Sequence, residues 1–443
     1  MSPGRLAVLL GLLLGLAGTS TSAVTVALPQ LARELGIATS TAAWTITGYA
    51  VALAVATPTH GRIADTVGIR IPLCAGVAML SAGAVASSLA PNFAVLMVSR
   101  VLQGAGAAAV PVLGTALISA RWEGARRSAA LGRIAGVAAT LSALGPLLGG
   151  ALAELGGWRL AIALPAVGVL ALPVLWRAAP SAGTGDRIDL PGALLVAMAA
   201  TGAVLTIQSP SAGVVAGLLG VGLLVVGVPA VAARVRARPD GFLPRPIITN
   251  PTVLRSAFAT AAIPACWFAL LLGVPIALAS RGWSPWQTGL VLIPAAVVGF
   301  VSPRIARTLL GRLGPRRSIA LACPAAVVAL LVAALGSAIG SAALLAVGIT
   351  LSTIAFGVGQ PAMIAAVGAA VPAPQRGVAL GVATLVFLTG ASVGAALVGG
   401  LATVLGVPGA LCLVVALPVA GLVTLLLGRP GPGERPDAFG SAA

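Results

Sequence analysis

Apolar run follows apolar run along this chain, each about 18 to 25 residues long and set off by a short polar break. A run of that length crosses about 30 Å of hydrocarbon as a helix, and hydrocarbon offers the backbone no outside partner, so membrane-spanning helices are the structure open to it. Charged residues make up only 8% of the 443, against about 25% in an ordinary soluble domain, which leaves no stretch to build a soluble domain from. The runs fall near 6–28, 42–60, 71–89, 93–115, 128–151, 159–176, 190–208, 211–233, 252–279, 286–306, 318–337, 340–364, 376–403 and 406–427. The expected fold class is an all-α integral membrane protein with about fourteen spans. Residues 1–23 resemble a signal peptide, but the run continues apolar through "VTVALP" and is read as the first span.

Arginine supplies every basic residue, and its distribution sets the orientation. One alternate set of breaks holds Arg62, Arg70, Arg121, Arg126 and Arg127, then Arg177, Arg187, Arg234, Arg236, Arg238 and Arg245. It continues through Arg304, Arg307, Arg312, Arg316, Arg317 and Arg376 to Arg429 and Arg435, while the other set holds only Arg33, Arg159 and Arg281. By the positive-inside rule the rich set is cytoplasmic, so both termini are inside and the number of spans is even. The net charge of +17 is scattered over short loops with no basic face, which argues against nucleic acid as a partner. A bacterial plasma membrane is the expected location, in keeping with the Ala-, Gly- and Arg-rich composition. One histidine, no acid pair within a span, and no cluster of metal ligands speak against an enzyme, a metal site or a cofactor. Cys74, Cys266, Cys323 and Cys412 stand apart and are expected to serve in packing. Trp158, Trp283 and Trp286 at one set of ends, and Trp122 and Trp176 at the other, are expected to form interfacial belts.

The segment "RSAALGRIAGVAATLSALGPLLGGAL" from Arg127 overlays "RGVALGVATLVFLTGASVGAALVGGL" from Arg376, pairing Leu131 and Gly132 with Leu380 and Gly381, and Gly145 with Gly394. A weaker echo links "GRIADTVGIR" with "GRLGPRR". Two similar helix bundles meeting at a central cavity would explain both. The expected boundaries are 1–180 and 246–428 for six-helix bundles, 181–245 for two further helices, and 429–443 for a short tail.

Three motifs carry chemistry. In "GRIADTVGIR", a gating loop of Gly61, Arg62, Asp65, Gly68 and Arg70, the two glycines permit close turns and Asp65 can pair with Arg70 or meet a helix N-terminus, a latch for one gate state. In "SRVLQGAGAAAVP" Arg100 lies within a span, where a charge costs on the order of 3 kcal/mol and must be paired or face a cavity. In "LGPLLGG" the residues Gly145, Pro146, Gly149 and Gly150 can bend a helix and admit a neighbour's backbone.

With "DRIDLPGALLVAMAATGAVL" and "ALASRGWSPWQTGLVLIPAAV", these motifs make the whole chain resemble a major facilitator superfamily transporter, more narrowly its fourteen-helix drug:proton antiporter branch. The resemblance implies two six-helix bundles plus two extra central helices, and a monomer that exports small amphiphilic molecules by alternating access, with protons as the driving partner. It associates Arg100 with proton coupling, and Gly132 and Gly145–Gly150 with antiport. That branch commonly carries a carboxylate in its first helix before "ALP", and aligning on Ala27, Leu28 and Pro29 puts Ser20 at its place, with Ser22 and Thr25 at neighbouring polar positions.

The hydroxyls of "GTSTSAVTVALP" are therefore expected to face the cavity, with Trp44, Gln103, Trp267 and Gln360 beside them. Every acid of the chain lies at a span end, in a loop or in the tail; Glu34, Glu154 and His60, near the mouths, are the remaining titratable candidates alongside Arg100. The missing acid keeps an alternative open, an uncoupled facilitator or importer of the same fold.

Overall fold

The computed structural model describes residues 2–181, 189–212, 214–239, 245–371 and 376–427. Arg62, Asp65, Arg127, Gly132, Arg376 and the tail 429–443, which the sequence singled out, lie outside the described side chains and residues.

The chain rises and falls as helices: α1 (Pro3–Glu34), α2 (Trp44–Val67), α3 (Arg70–Ser88), α4 (93–121), α5 (124–155) and α6 (158–178). There follow α7 (Leu190–Ala212), α8 (Val214–Ala237), α9 (Pro251–Ala279), α10 (285–313), α11 (315–339), α12 (Ala342–Ala369), α13 (376–405) and α14 (407–426). Among the described residues nine helical stretches are long and apolar enough to cross a membrane, several of them running over two passes that a glycine divides. These passes match the hydropathy runs one for one. Local chemistry sets their starts: Asn92 and Ser341 accept from the backbone N–H three residues on, and Ser284 and Gln287 form a reciprocal capping box before α10. α4 is interrupted at Ala108, where Pro111 removes the donor that would bond the Ala107 carbonyl.

The internal repeat is written in the backbone. Among described residues, Gly36, Gly68 and Gly157 have positive φ, and Gly282, Gly314 and Gly406 stand at the matching places in the second half, where Gly340 adds a seventh without a counterpart. Gly68 (φ 84°, ψ 168°) and Gly314 (φ 75°, ψ 171°) make the same turn, one that costs a side-chain-bearing residue dearly. Two residues after each, an arginine donates to the end of a distant helix: Arg70 Nε to the Ala179 carbonyl at 2.9 Å, and Arg316 Nη2 to the Leu425 carbonyl at 2.8 Å. The echo between "GRIADTVGIR" and "GRLGPRR" is thus one turn and one bond used twice.

Close helix packing repeats as well. A methyl group at Gly15 of α1 would meet Leu141 Cβ of α5 at 2.6 Å, and in the second half Gly390 of α13 sits against the Ala261 carbonyl of α9. Gly145 abuts Ser22 and Thr19, and its repeat partner Gly394 abuts Ala265.

Buried apolar side chains are distributed unevenly along the helix axes. At the arginine-poor end one cluster runs through both halves, from Leu28, Ile46 and Trp158 to Leu271, Leu330 and Val398. At the arginine-rich end the described clusters are separate, one around Leu10, Leu73 and Leu113 and others around Val253, Phe387 and Cys323. The halves are sealed together at one end and hold independent cores at the other. α7 and α8 pack as a hairpin, with Gly220 close to Thr206 and Gly202, tied at its arginine-rich end by Arg234 and Asp189 at 2.6 Å. α7 rests on α2 of the first half and α13 of the second, across the seam, and much of α8 faces outward.

Candidate functional site

Arg100, inside α4, is fully buried. Its fork reaches two other helices: Nε donates to the Thr45 carbonyl at 3.0 Å, Nη1 to Ser20 Oγ at 2.9 Å, and Nη2 to the Ser20 carbonyl at 3.2 Å. Nη1 also donates to Gln103 Oε1 at 2.6 Å, one turn on, and the guanidinium lies 4.5 Å from the centre of the Tyr49 ring. The Tyr49 hydroxyl in turn donates to the Ala17 carbonyl at 2.7 Å. A buried charge is tolerable when its donors are met. Here carbonyls, a hydroxyl, an amide and a ring face meet them, and no carboxylate is among the described partners. Ser20 stands in direct contact with Arg100, so a carboxylate at that position would have been its ion-pair partner.

The other α1 hydroxyls were expected at the cavity and are found elsewhere. Thr19 and Thr25 bond back to the carbonyls of Leu16 and Ser22 at 2.9 and 2.7 Å, and Ser22 lies 3.4 Å from the Gly18 carbonyl. All are buried, with Ser22 turned into α5, because a short hydroxyl in an apolar helix satisfies itself on the preceding turn when the neighbour is a glycine that lets the helices touch.

That neighbour is the Gly-Pro stretch of α5. Gly145 and Gly149 bring α5 onto Ser22 and Ala23 of α1, while a methyl group at Gly150 would meet the Pro285 carbonyl of α10 at 2.6 Å. A methyl group at Gly289 of α10 would in turn meet the Pro146 carbonyl at 3.0 Å. The motif therefore packs α5 on its own half and on the other half at once, at the sealed end. Glu154 belongs to the same seam: it is exposed, and its Oε1 is 3.5 Å from the Trp286 amide in the first turn of α10.

Glu34 sits in a contact that joins three helices. At the arginine-poor end of α1 its Oε2 accepts from Arg159 at 3.0 Å and from the Trp158 indole at 2.8 Å, and Arg159 also donates to the Ala90 carbonyl at 3.3 Å. It joins α1 to α6 and, through Arg159, to the end of α3. Trp158, expected in an interfacial belt, is 1% exposed because its indole closes that contact. Trp176 and Trp286 do face outward, and Cys412 is exposed while the other three cysteines are buried.

In the second half, Trp267 of α9 donates from its indole to Thr353 of α12 at 3.1 Å and packs with Phe268 and Phe356 at ring-centre distances of 5.0 Å. Phe387 of α13 joins at 5.6 Å from Phe356. Thr353, Phe356 and Gln360 recur at helical spacing on one face of α12. Trp267, Gln360 and Trp44 are half-buried, whereas Gln103 is fully buried with Arg100. The sequence missed Thr45 and Tyr49, ordinary residues whose role comes only from the crossing of α2 with α4. The loop residue Arg70 bonds to the Ala179 carbonyl and stacks 5.8 Å from the Trp176 ring, its pairing with Asp65 lies outside the described side chains, and Gly61 lies beside Val112 of α4.

A solved peptide transporter, POT, crystallised as a point mutant in complex with sulfate, superposes with a TM-score of 0.69 over 96% of this chain and 93% of its own at 18% identity, which establishes the fold. Multidrug resistance protein Stp of Mycobacterium tuberculosis is 30% identical over 389 residues, 85% of this chain and 71% of Stp. Cephamycin export protein CmcT of Amycolatopsis lactamdurans is 34% identical over 63% of this chain and 60% of its own length; puromycin resistance protein pur8 of Streptomyces alboniger is 31% identical over 70% and 63%. The sequence profile of the Major Facilitator Superfamily matches residues 10–359, from the start of α1 into α12. A repeated six-helix architecture, a sealed seam at one end and this match along most of the chain have one explanation: the protein is a transporter of the major facilitator superfamily, in a multi-pass membrane fold.

Proposed function

We propose that the protein exports small amphiphilic molecules, drugs, antibiotics or secondary metabolites, across a bacterial plasma membrane by alternating access, as a monomer with both termini in the cytoplasm. The observation that carries this is the packing of Gly145, Gly149 and Gly150, which lets α5 touch α1 and α10 together at the arginine-poor end. With that end outside, the split cores at the arginine-rich end correspond to a form open to the cytoplasm, the state in which an exporter loads its substrate. The names of Stp, CmcT and pur8 speak of resistance and export in those proteins and support the same direction here. The half-buried Trp267, Phe356 and Gln360 of the second half supply a flat, weakly polar surface suited to such molecules.

The drive is a proton gradient in this reading. Ser20 on Arg100 favours a second one, uncoupled facilitation, because the place of a helix-1 carboxylate holds a group that does not titrate. Efflux of ethidium and a panel of antibiotics from pump-deficient cells, with and without a protonophore, separates them. Efflux that stops with the protonophore supports the coupled exporter; equilibration indifferent to it supports the facilitator.

A further inference from the structure

The foot of the α7–α8 hairpin carries more positive charge than the hairpin itself uses. Residues 186–245 hold Arg187, Arg234, Arg236, Arg238 and Arg245 against Asp186, Asp189 and Asp240; of these Asp186, Arg187 and Asp240 lie outside the described residues. Asp189 caps α7, its Oδ1 accepting from the Gly192 amide at 3.2 Å. Arg234 of α8 donates to the same oxygen from Nε at 3.1 Å and from Nη2 at 2.6 Å. Among the described residues Nη1 of Arg234 has no further acceptor, and the exposed Arg238, one turn on, has no side-chain hydrogen bond or ion pair.

These two arginines rim a shallow hollow, open on one side, whose wall is Gly192 and Val196 of α7 with Val231 and Val235 of α8. Further into the membrane, roughly 8–9 Å from the Asp189–Arg234 pair at 1.5 Å per residue, Leu194 and Val228 are 70% and 55% exposed. On α8 the exposed residues Leu218, Val221, Val225 and Val228 recur at helical spacing, and Val228 stands two turns before Val235 on the same face. An apolar stripe thus leads from the membrane interior to a hollow edged with unpaired positive charge.

We propose that this hollow is a binding site for an anionic phospholipid of the cytoplasmic leaflet, its phosphate held by Arg238 and Arg234 and its acyl chains lying along the stripe on α8. Positively charged hollows between spans on the cytoplasmic side suit anionic head groups, and a guanidinium offers a phosphate two parallel donors. The hollow is too shallow to admit a head group, so the phosphate lies across its mouth, where Arg238 is exposed. Asp189 would repel it, but Arg234 already neutralises that carboxylate, which leaves Arg238 to set the sign of the site. A free phosphate would meet the same arginines and gain nothing from the apolar stripe; a lipid meets both. The consequence reaches the seam, since α7 rests on α2 of the first half and α13 of the second, and a lipid bound at its foot braces it against α8.

The test uses the full chain in a neutral detergent, with phosphatidylglycerol or phosphatidylcholine of the same acyl chains. Lipid retention is counted by native mass spectrometry, and melting curves are recorded beside it. Phosphatidylglycerol should be retained about fivefold better than phosphatidylcholine and should raise the melting temperature, and Arg238→Gln should remove about that factor. The Arg238 side chain is exposed and unpaired, so this variant should fold as the wild type does. Arg236→Gln removes an equal charge two residues away, on the other side of α8, and should leave retention unchanged. Equal retention of the two lipids overturns the proposal, as does an equal loss in both variants, which would make the effect one of charge alone. Glycerol phosphate at the same concentration should not raise the melting temperature; if it matches the lipid, the site is one for free anions and the lipid assignment falls. No transport is read and detergent removes the two sides of the membrane, so the outcome stands apart from the export reading and its orientation.

Discussion

The two halves share three glycine turns, a side-chain cap at Asn92 and Ser341 and an arginine-to-carbonyl bond, yet differ at the centre. Counting from the caps Asn92 and Ser341, Arg100 and Gln103 occupy the steps held by Ile349 and Ser352 in the second half. Counting back from Gly36 and Gly282, Ser20 occupies the step of Cys266. The first half thus holds a buried charge in a frame of polar acceptors. The second holds Ile349 within the large apolar cluster, Cys266 bonded weakly to the Ala326 carbonyl at 3.5 Å, and a stack of aromatic rings. A duplicated scaffold keeps what positions the helices and varies what lines the middle, so the charge work and the apolar contact work can fall to different halves.

Exchanging the central residues is the severest way to break that comparison. Ile349→Arg places a guanidinium among apolar side chains without the acceptors that Ser20, Thr45 and Gln103 give Arg100, and an unmet buried charge costs several kcal/mol. Folded yield in the membrane should collapse. Arg100→Ile leaves neutral acceptors unmet, each at a cost of about 1–3 kcal/mol, and should lower the melting temperature in detergent while preserving insertion, with transport at least about 100-fold down. Fluorescence-detected size exclusion and a melting curve check the pair; equal tolerance of both changes would show that the frame around Arg100 is not what makes the charge acceptable.

Gly145→Val comes next. Its Cβ would fall on Ser22, so α1 and α5 would separate and the seam with α10 would shift with them. Insertion should survive, because hydropathy is unchanged, while transport drops by more than about tenfold. The matching Gly394→Val in the second half would strike the Ala265 carbonyl and should damage packing without touching the α5–α10 seam. Transport assays and melting curves on both variants then separate a loss due to gating from a loss due to packing.

What could be read before the structure follows from which forces are local. Spans, their ends and the arginine asymmetry are local, and the fourteen hydropathy runs reappear as helices. The repeat was visible because both copies kept glycines that a fixed turn or contact demands, such as Gly68 with Gly314 and Gly145 with Gly394. Arg100 was conspicuous as a charge in an apolar run, but its partners were not, since Thr45 offers only a carbonyl and Tyr49 only a ring face. Hydroxyl orientation is not legible in the sequence, because a helix-1 serine can face a cavity, its own backbone or a neighbouring glycine with the same spacing. Trp158 and Glu34 looked like separate rim residues, and only the approach of α6 to α1 joins them.

Ser20→Asp sharpens the comparison from the other side, by giving the first half the carboxylate that Arg100 lacks. Ser20 Oγ lies 2.9 Å from Nη1, so an aspartate there reaches the guanidinium with little rearrangement. The pair would be buried and fully desolvated, where the mutual attraction and the desolvation cost nearly offset each other, so stability should change by no more than about 2 kcal/mol in either direction. The change should show in pH dependence: substrate efflux acquires a second titration step belonging to the new acid. An unaltered pH profile would mean that this position does not exchange protons during the cycle.

The smallest effect is expected at the sealed end. Glu34→Gln removes the charge that Arg159 holds but keeps an oxygen for the Trp158 indole, and the pair is 43% exposed on each side, so solvent already screens it. An exposed ion pair contributes about 0–1 kcal/mol, and the melting temperature should fall by no more than a few degrees. If Glu34 were instead a coupling acid, the same substitution would abolish proton-driven efflux outright. Retained efflux with a slightly lower melting temperature would leave the Glu34 contact as a structural device and the proton to a group further down the first half. Complete loss with an unchanged melting temperature would move the charge work of that half from its middle to its rim.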